Sequence, residues 1–201
     1  MYKKFIKRQL DIVLSLIAIV FMALPMTMIA TIIKIDSPGP VFFRQKRVGI
    51  HKSHFYIHKF RSMSVNAPHD MPTHQLENPE AYLTKWQRFI RKSSIDELPQ
   101  LYDILMGKMS IIGPRPALWN QYDLIEERDK YGANDILPGL TGWAQINGRD
   151  ELEIPEKAKL DGEYAANISF AMDWKCFWGT VKAVLKQDGV VEGGTGIKRN
   201  K

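Results

Sequence analysis

Apolar positions follow one pattern in the first sixth of the chain and another in the remainder. From Ile12 to Ile33 no side chain is charged, and Lys3, Lys4, Lys7 and Arg8 stand just before the run. Such a stretch reads as a helix embedded in a membrane. It outlasts the apolar core of a signal peptide, continuing past Pro25 through Met26, Met28, Ile29 and Ile32, so it is expected to be retained. Pro25 divides it into arms, Ile12 to Leu24 and Met26 to Ile35, of about 20 and about 15 Å; neither alone crosses the roughly 30 Å of hydrocarbon. An interior proline predicts a kink. Lys34, Arg44, Lys46 and Arg47 follow the run, so positive charge flanks both ends and favours neither as the cytoplasmic one. A re-entrant hairpin with both ends in the cytoplasm and a kinked single crossing both satisfy the pattern.

Beyond Asp36-Ser37-Pro38-Gly39-Pro40, a turn, the alternation in Val41 to Val48 and Phe55 to Phe60 predicts two short strands forming a hairpin. Residues Asn66 to Glu80, rich in His, Pro and Asn, read as a loop. Leu83, Trp86, Phe89 and Ile90 then recur at helical spacing within Ala81 to Lys92, with a basic opposite face suited to anionic lipid or to a helix docked on its own core. Leu98 to Met106 predicts a buried helix ending at Gly107, and a further helix is expected around Leu118 to Tyr131. Pro138 to Arg149 reads as a loop. Phe170 to Gln187, with Trp174, Phe177, Trp178, Val181, Val184 and Leu185, predicts a last helix whose aromatics suit either a membrane interface or a core. The chain thus reads as α+β and mostly helical. It divides into a membrane segment (1–35), a following domain (36–190) and a Gly-rich basic tail (191–201) expected to be disordered.

With 201 residues, 45% of them hydrophobic, the chain can build one domain with a real core. A net charge of +6 points to anionic partners, which by charge alone include nucleic acid, phospholipid and nucleotide phosphates. The single Cys176 excludes an internal disulfide and a Cys-rich zinc site. There is no GxxxxGK[ST] loop, HExxH or GxSxG elbow. His51, His54 and His58 fall in turn and strand, where surface or hairpin roles are expected.

The chemistry concentrates in Ser94-Ile95-Asp96-Glu97-Leu98-Pro99-Gln100-Leu101, two adjacent acids at what reads as a helix start, shortly after Arg88, Arg91 and Lys92. Ser94 and Glu97 have capping-box spacing, and a helix start favours negative charge and bound phosphate. Alone, the motif is better explained by helix capping than by chemistry. Lys59, Arg61, Arg91, Arg115 and Arg149 are candidates for a phosphate site, with Arg115 held between Pro114 and Pro116.

Taken in order, Lys59-Phe60-Arg61-Ser62-Met63, Asp96 to Leu101, Ile112-Gly113-Pro114-Arg115-Pro116 and Pro138-Gly139-Leu140-Thr141-Gly142-Trp143-Ala144-Gln145-Ile146-Asn147-Gly148-Arg149, behind a proline-bearing apolar helix, resemble the bacterial sugar transferases, the monotopic polyprenyl-phosphate phosphoglycosyl transferases. That family commonly has Ser-Pro at the helix break, where this chain has Leu24-Pro25. The resemblance implies transfer of a sugar 1-phosphate from a UDP-sugar to undecaprenyl phosphate, releasing UMP by a ping-pong route. It makes Asp96 the nucleophile and Glu97 a ligand of Mg²⁺. It implies Lys59, Arg61, Arg91, Arg115, Gln145, Asn147 and Arg149 as substrate-binding residues. It also implies the re-entrant shape, a place on the cytoplasmic face of a bacterial inner membrane, contact with membrane lipid and none with nucleic acid, and allows a homodimer. The alternatives are a non-catalytic, membrane-anchored basic binding protein and a Mg²⁺-dependent phosphohydrolase using the same acids.

Overall fold

The computed structural model describes residues 1–68, 76, 78–148 and 152–186. Helix α1, Lys7–Asp36, follows a π-helical turn at Tyr2–Ile6 and stays helical through Pro25. The hydroxyls of Thr27 and Thr31 bond back to the carbonyls of Ala23 and Thr27 at 2.8 and 2.9 Å, an arrangement that bends helices. Val13, Leu14, Leu16, Ile17, Val20, Phe21 and Leu24 are exposed along it. Its other face rests on the rest of the chain at both ends. Near the start, Arg8 donates to the carbonyls of Ile104 and Leu105, Asp11 accepts from the Ile111 N–H at 2.9 Å, and Lys7 and Tyr2 reach Asp173. Near the end, Met26, Ile29, Ala30 and Ile33 pack with Phe60 and Ile90.

The predicted hairpin forms. Strands β1 (Phe42–Val48) and β2 (His54–Phe60) pair antiparallel, Phe42 opposite Phe60 and Val48 opposite His54. Its histidines serve it locally: His51 meets Asp135, while the N–H and ring of His58 both bond Asp103, a fully buried carboxylate. Helix α2, Lys85–Lys92, is shorter than its apolar pattern because Thr84 and Gln87 form a capping box that sets its start. Helix α3, Gln100–Leu105, ends as expected at Gly107, whose φ of 79° is left-handed. Helix α4 is Tyr122–Asp129.

Four elements depart from the pattern-based expectation. The stretch from Pro138, expected as a loop, contains strand β4 (Gly139–Thr141) and helix α5 (Trp143–Ile146). Strand β4 pairs in parallel with β3 (Ser110–Ile112), and runs of three residues are too short to show alternation. Helix α6, Ile154–Ala166, was not anticipated; its buried face is Ala158, Asp161, Gly162, Tyr164 and Ala165, small or polar rather than apolar. Helix α7, Phe170–Lys186, closes the described chain, with Cys176 buried and Phe170, Trp174, Phe177 and Trp178 each about half exposed. These aromatics lie outside the core. Most of the expected 66–80 loop, Arg149 and the 191–201 tail lie outside the described residues.

Candidate functional site

The two acids are placed differently from the sequence expectation. After α2 the chain turns at Ser94, a non-glycine residue at φ 57°, and Asp96 and Glu97 occupy a separate single turn, Ile95–Glu97. Left-handed backbone costs an L-residue roughly 1–2 kcal/mol, so the turn is held by its surroundings. Ser94 makes no side-chain cap, and the expected capping box does not form, because the Glu97 carboxylate is engaged elsewhere. Nor do the acids sit in the first turn of α3, which starts at Gln100 and has only six residues.

Glu97 Oε1 accepts from Lys59 Nζ at 2.7 Å and from Arg115 Nη2 at 2.5 Å, while Arg115 Nη1 lies 3.2 Å from Oε2. Asp96 Oδ2 accepts from Ser62 Oγ at 3.2 Å. Both acids are buried, at 5% and 9% exposure. Burial raises the pKa of each, and the neighbours then separate them. Arg115 and Lys59 outweigh burial at Glu97 and hold it well below the usual carboxylate range. At Asp96 burial wins, assisted by the charge of Glu97 and opposed by Lys59 and Arg91, so its pKa is raised. Lys59 is pushed below the ordinary lysine range by burial and by Arg115, against the pull of Glu97. One acid is therefore a fixed anion that locates cations. The other is a carboxylate that its surroundings do little to stabilise as an anion.

Each partner is positioned by named contacts. Asp103 ties His58 to α3 and so fixes the neighbouring Lys59. Arg115 is set by close approach of two chain segments: Gly113 N–H donates to the Thr141 carbonyl and Gly139 N–H to the Pro114 carbonyl, both at 2.8 Å. A Cβ on Gly139 would lie 2.1 Å from the Gly113 nitrogen, and one on Gly142 2.1 Å from the Gly113 oxygen. Only glycine allows these backbones to touch. Arg128, paired twice with Asp161 at 2.6 and 2.9 Å, donates a further bond of 3.0 Å to the Arg115 carbonyl.

These groups line a cavity of about 590 Å³. Of the sequence-predicted residues, Asp96, Glu97, Lys59, Arg91, Arg115 and Gln145 line it together. Arg61 touches it, but its guanidinium is given to the carbonyls of Pro38 and Ser37, at 2.7 and 2.6 Å, and to the Ser37 hydroxyl; at 4% exposure it clamps the chain leaving α1. Asn147 bonds the Trp143 carbonyl at the end of α5 and is exposed, outside the cavity lining. Arg149 is outside the described residues. Sequence reasoning passed over Ser62, Gln45, Arg47, Arg128 and Asp161. The first sits inside the Lys59 motif, and Gln45 and Arg47 share the Phe43 and Lys59 face of the hairpin by period two, so both were findable. Arg128 and Asp161 meet from separate helices and carry no spacing signal.

A model of the bacterial sugar transferases matches residues 2–187, almost the whole described chain. The chain belongs to the bacterial sugar transferase family. Among curated relatives it is 37% identical over 185 residues to a protein named uncharacterized sugar transferase EpsL of Bacillus subtilis, covering 92% of this chain and 90% of that one. It is 36% identical to a UDP-glucose:undecaprenyl-phosphate glucose-1-phosphate transferase of Xanthomonas campestris, covering 87% and 36%. It is also 36% identical to a UDP-N-acetylgalactosamine-undecaprenyl-phosphate N-acetylgalactosaminephosphotransferase of Aeromonas hydrophila, covering 90% and 44%. The chain thus spans less than half the length of these last two.

Among the described residues of this sugar transferase no cluster of three or more His, Cys, Asp or Glu is assembled that would cage a metal. Two adjacent carboxylates beside a cation-lined cavity fit an ion that takes one or two protein oxygens and completes its shell with water and substrate phosphate, the habit of Mg²⁺.

Proposed function

We propose that this protein transfers a sugar 1-phosphate from a UDP-sugar to undecaprenyl phosphate, giving the polyprenyl diphosphate sugar and UMP. The observation that carries this reading is the divided pair: a buried carboxylate of raised pKa, next to one tied to Lys59 and Arg115, in a cavity of ligand size. The printed activities of relatives that share its family support it.

In this scheme an Asp96 oxygen attacks the sugar-proximal phosphorus of the UDP-sugar. An acyl-phosphate bond forms, the bridging P–O bond breaks, and UMP departs with that oxygen. A phosphate oxygen of the polyprenyl acceptor then attacks the same phosphorus, the acyl-phosphate bond breaks, and Asp96 is restored as carboxylate. Lys59, Arg91 and Arg115 hold the phosphates in place and offset the charge that builds on them. Glu97 keeps Lys59 and Arg115 aimed and, with Asp96, would hold Mg²⁺, whose charge would further stabilise the transferring phosphoryl group.

The character of α1 supports a place in a membrane: a helix exposed over most of an 18-residue apolar window, with both ends packed on one domain, suits a re-entrant placement in which Pro25 supplies the bend and both ends stay on the cytoplasmic side. The half-exposed aromatics of α7 fit head-group depth.

The test is purified protein with Mg²⁺ and a panel of UDP-sugars, with and without undecaprenyl phosphate, reading UMP. Release of at most one UMP per protein without acceptor, sustained turnover with it, and loss of at least about 10³-fold in Asp96→Asn are expected. Sustained UMP release without acceptor would point to hydrolysis, and normal turnover by Asp96→Asn would remove the nucleophile.

A further inference from the structure

The cavity has two chemically different walls, and a reaction that joins a water-soluble substrate to a membrane lipid gives each a purpose. The lining toward the Val48 end of β1, where Ala117, Leu124 and Ala158 pack, includes Gln121, Arg128, Lys157 and Asp161 beside Leu118 and Leu124. The lining at the Phe42 end includes Pro40, Phe42, Met63 and Val65, with Arg61 and Ser64 among them. Phe42 is 51% and Val65 59% exposed. The Phe42 ring stacks on Phe60 at 5.5 Å and 15°. Phe60 in turn packs against Met26, Ile29, Ala30 and Ile33 of α1. Val65 lies against Gly39, three residues past the end of α1, so closely that a Cβ there would meet it at 2.8 Å. Apolar contact therefore runs from α1 through Phe60 to Phe42 in the cavity lining, while Val65 stands across the Arg61 guanidinium, which would lie nearer still to a Cβ on Gly39, at 2.1 Å. Lys59, next to Phe60 in the chain, belongs with Phe43 to the other face of the hairpin, and Lys59 and Phe42 both line the cavity.

Apolar surface left open at the mouth of a charged cavity is costly unless something covers it in use. We infer that Pro40, Phe42 and Val65 form the subsite for the phosphate-proximal isoprene units of the acceptor, while the polar wall receives the nucleotide sugar. The occupant is a prenyl chain rather than a protein, because Phe42 connects through Phe60 to α1 and lines the same cavity as Lys59, Arg91 and Arg115, which complement the single phosphate at the end of that chain. The two substrates of a ping-pong reaction then reach one carboxylate from opposite sides. The inference rests on the transferase reading above.

Phe42 and Val65 are half exposed, so Phe42→Ser combined with Val65→Ser is expected to fold with an unchanged melting temperature. The KM for undecaprenyl phosphate should rise roughly tenfold, from loss of apolar contact with the chain, with the KM for the UDP-sugar within about twofold and Phe42→Leu restoring most of the effect. A rise confined to the UDP-sugar KM, or no change in either, would overturn the assignment. A second arm is independent of turnover. Undecaprenyl phosphate carrying a diazirine near its phosphate, in detergent micelles, should label the peptide around Phe42 to Val65, with competition by unlabelled lipid. Labelling confined to α7 or to the Gln121 and Gln145 segments would sink the subsite even in a preparation that shows no transfer. Correct labelling without transfer would count against the activity alone.

Discussion

At Asp96 the fold holds a carboxylate that it does little to stabilise as an anion, while one peptide bond away Glu97 has two cations within 3 Å. The signs of their pKa shifts set the pH response. In the proposed scheme Asp96 must be ionised to attack, so kcat/KM should rise with pH through an apparent pKa above that of an ordinary aspartate. It should fall again as Lys59 loses its proton below the ordinary lysine range. Lys59→Arg, which stays charged, should keep residual activity but lose that alkaline limb. Stability separates the same two residues. A raised folded-state pKa means that ionised Asp96 costs stability at every pH above its unfolded value, so Asp96→Asn should melt no lower than the parent at neutral pH. Glu97 has a depressed folded pKa; its contribution is present above the unfolded value and disappears as pH falls through the folded one. Glu97→Gln should cost about 2–3 kcal/mol by thermal melting, below the range for a fully buried pair because the Arg115 side chain is 33% exposed.

Elements rather than single side chains decide where Arg115 stands. Gly113, Gly139 and Gly142 let β3 and β4 touch backbone to backbone, and nothing flexible lies where a methyl group would go. Gly142→Ala should therefore destabilise by about 3 kcal/mol, the upper end of overpacking, and lower kcat more than it raises KM, as seen in melting and steady-state rates. Such a contact explains why two glycine-rich motifs far apart in sequence frame one arginine, something readable in the sequence only as a resemblance. The hairpin, α2, α3 and α7 were legible because each carries a period of two or of about 3.6 ending in capping or turn residues. The short parallel pair and α6 were not, since three-residue strands have no period and α6 buries Asp161, Gly162 and Tyr164. The candidate site was legible as residue types, Asp96, Glu97, Lys59 and Arg115 among them, but not as geometry. Arg61 belonged to the same motif yet turns away to hold Ser37 and Pro38.

On the scale of the whole molecule, α1 lies along the domain with Arg8 and Asp11 fastened near one end and Ile33 near the other. Single cysteines placed at Lys3 and at Pro38 should accordingly react with an impermeant reagent from the same side of sealed vesicles; opposite accessibility would establish a crossing. A further outcome concerns bilayer thickness. A segment that must match both surfaces of a membrane tilts or distorts it as thickness changes. In the proposed re-entrant arrangement the depth of the cavity is referenced to a single leaflet through contacts within one polypeptide, so thinning or thickening the opposite leaflet would leave the distance from Asp96 to the near head groups unaltered. Transfer rates measured in vesicles of short and of long acyl chains should then agree, and the protein should tolerate membranes of quite different composition without adaptation of its anchor.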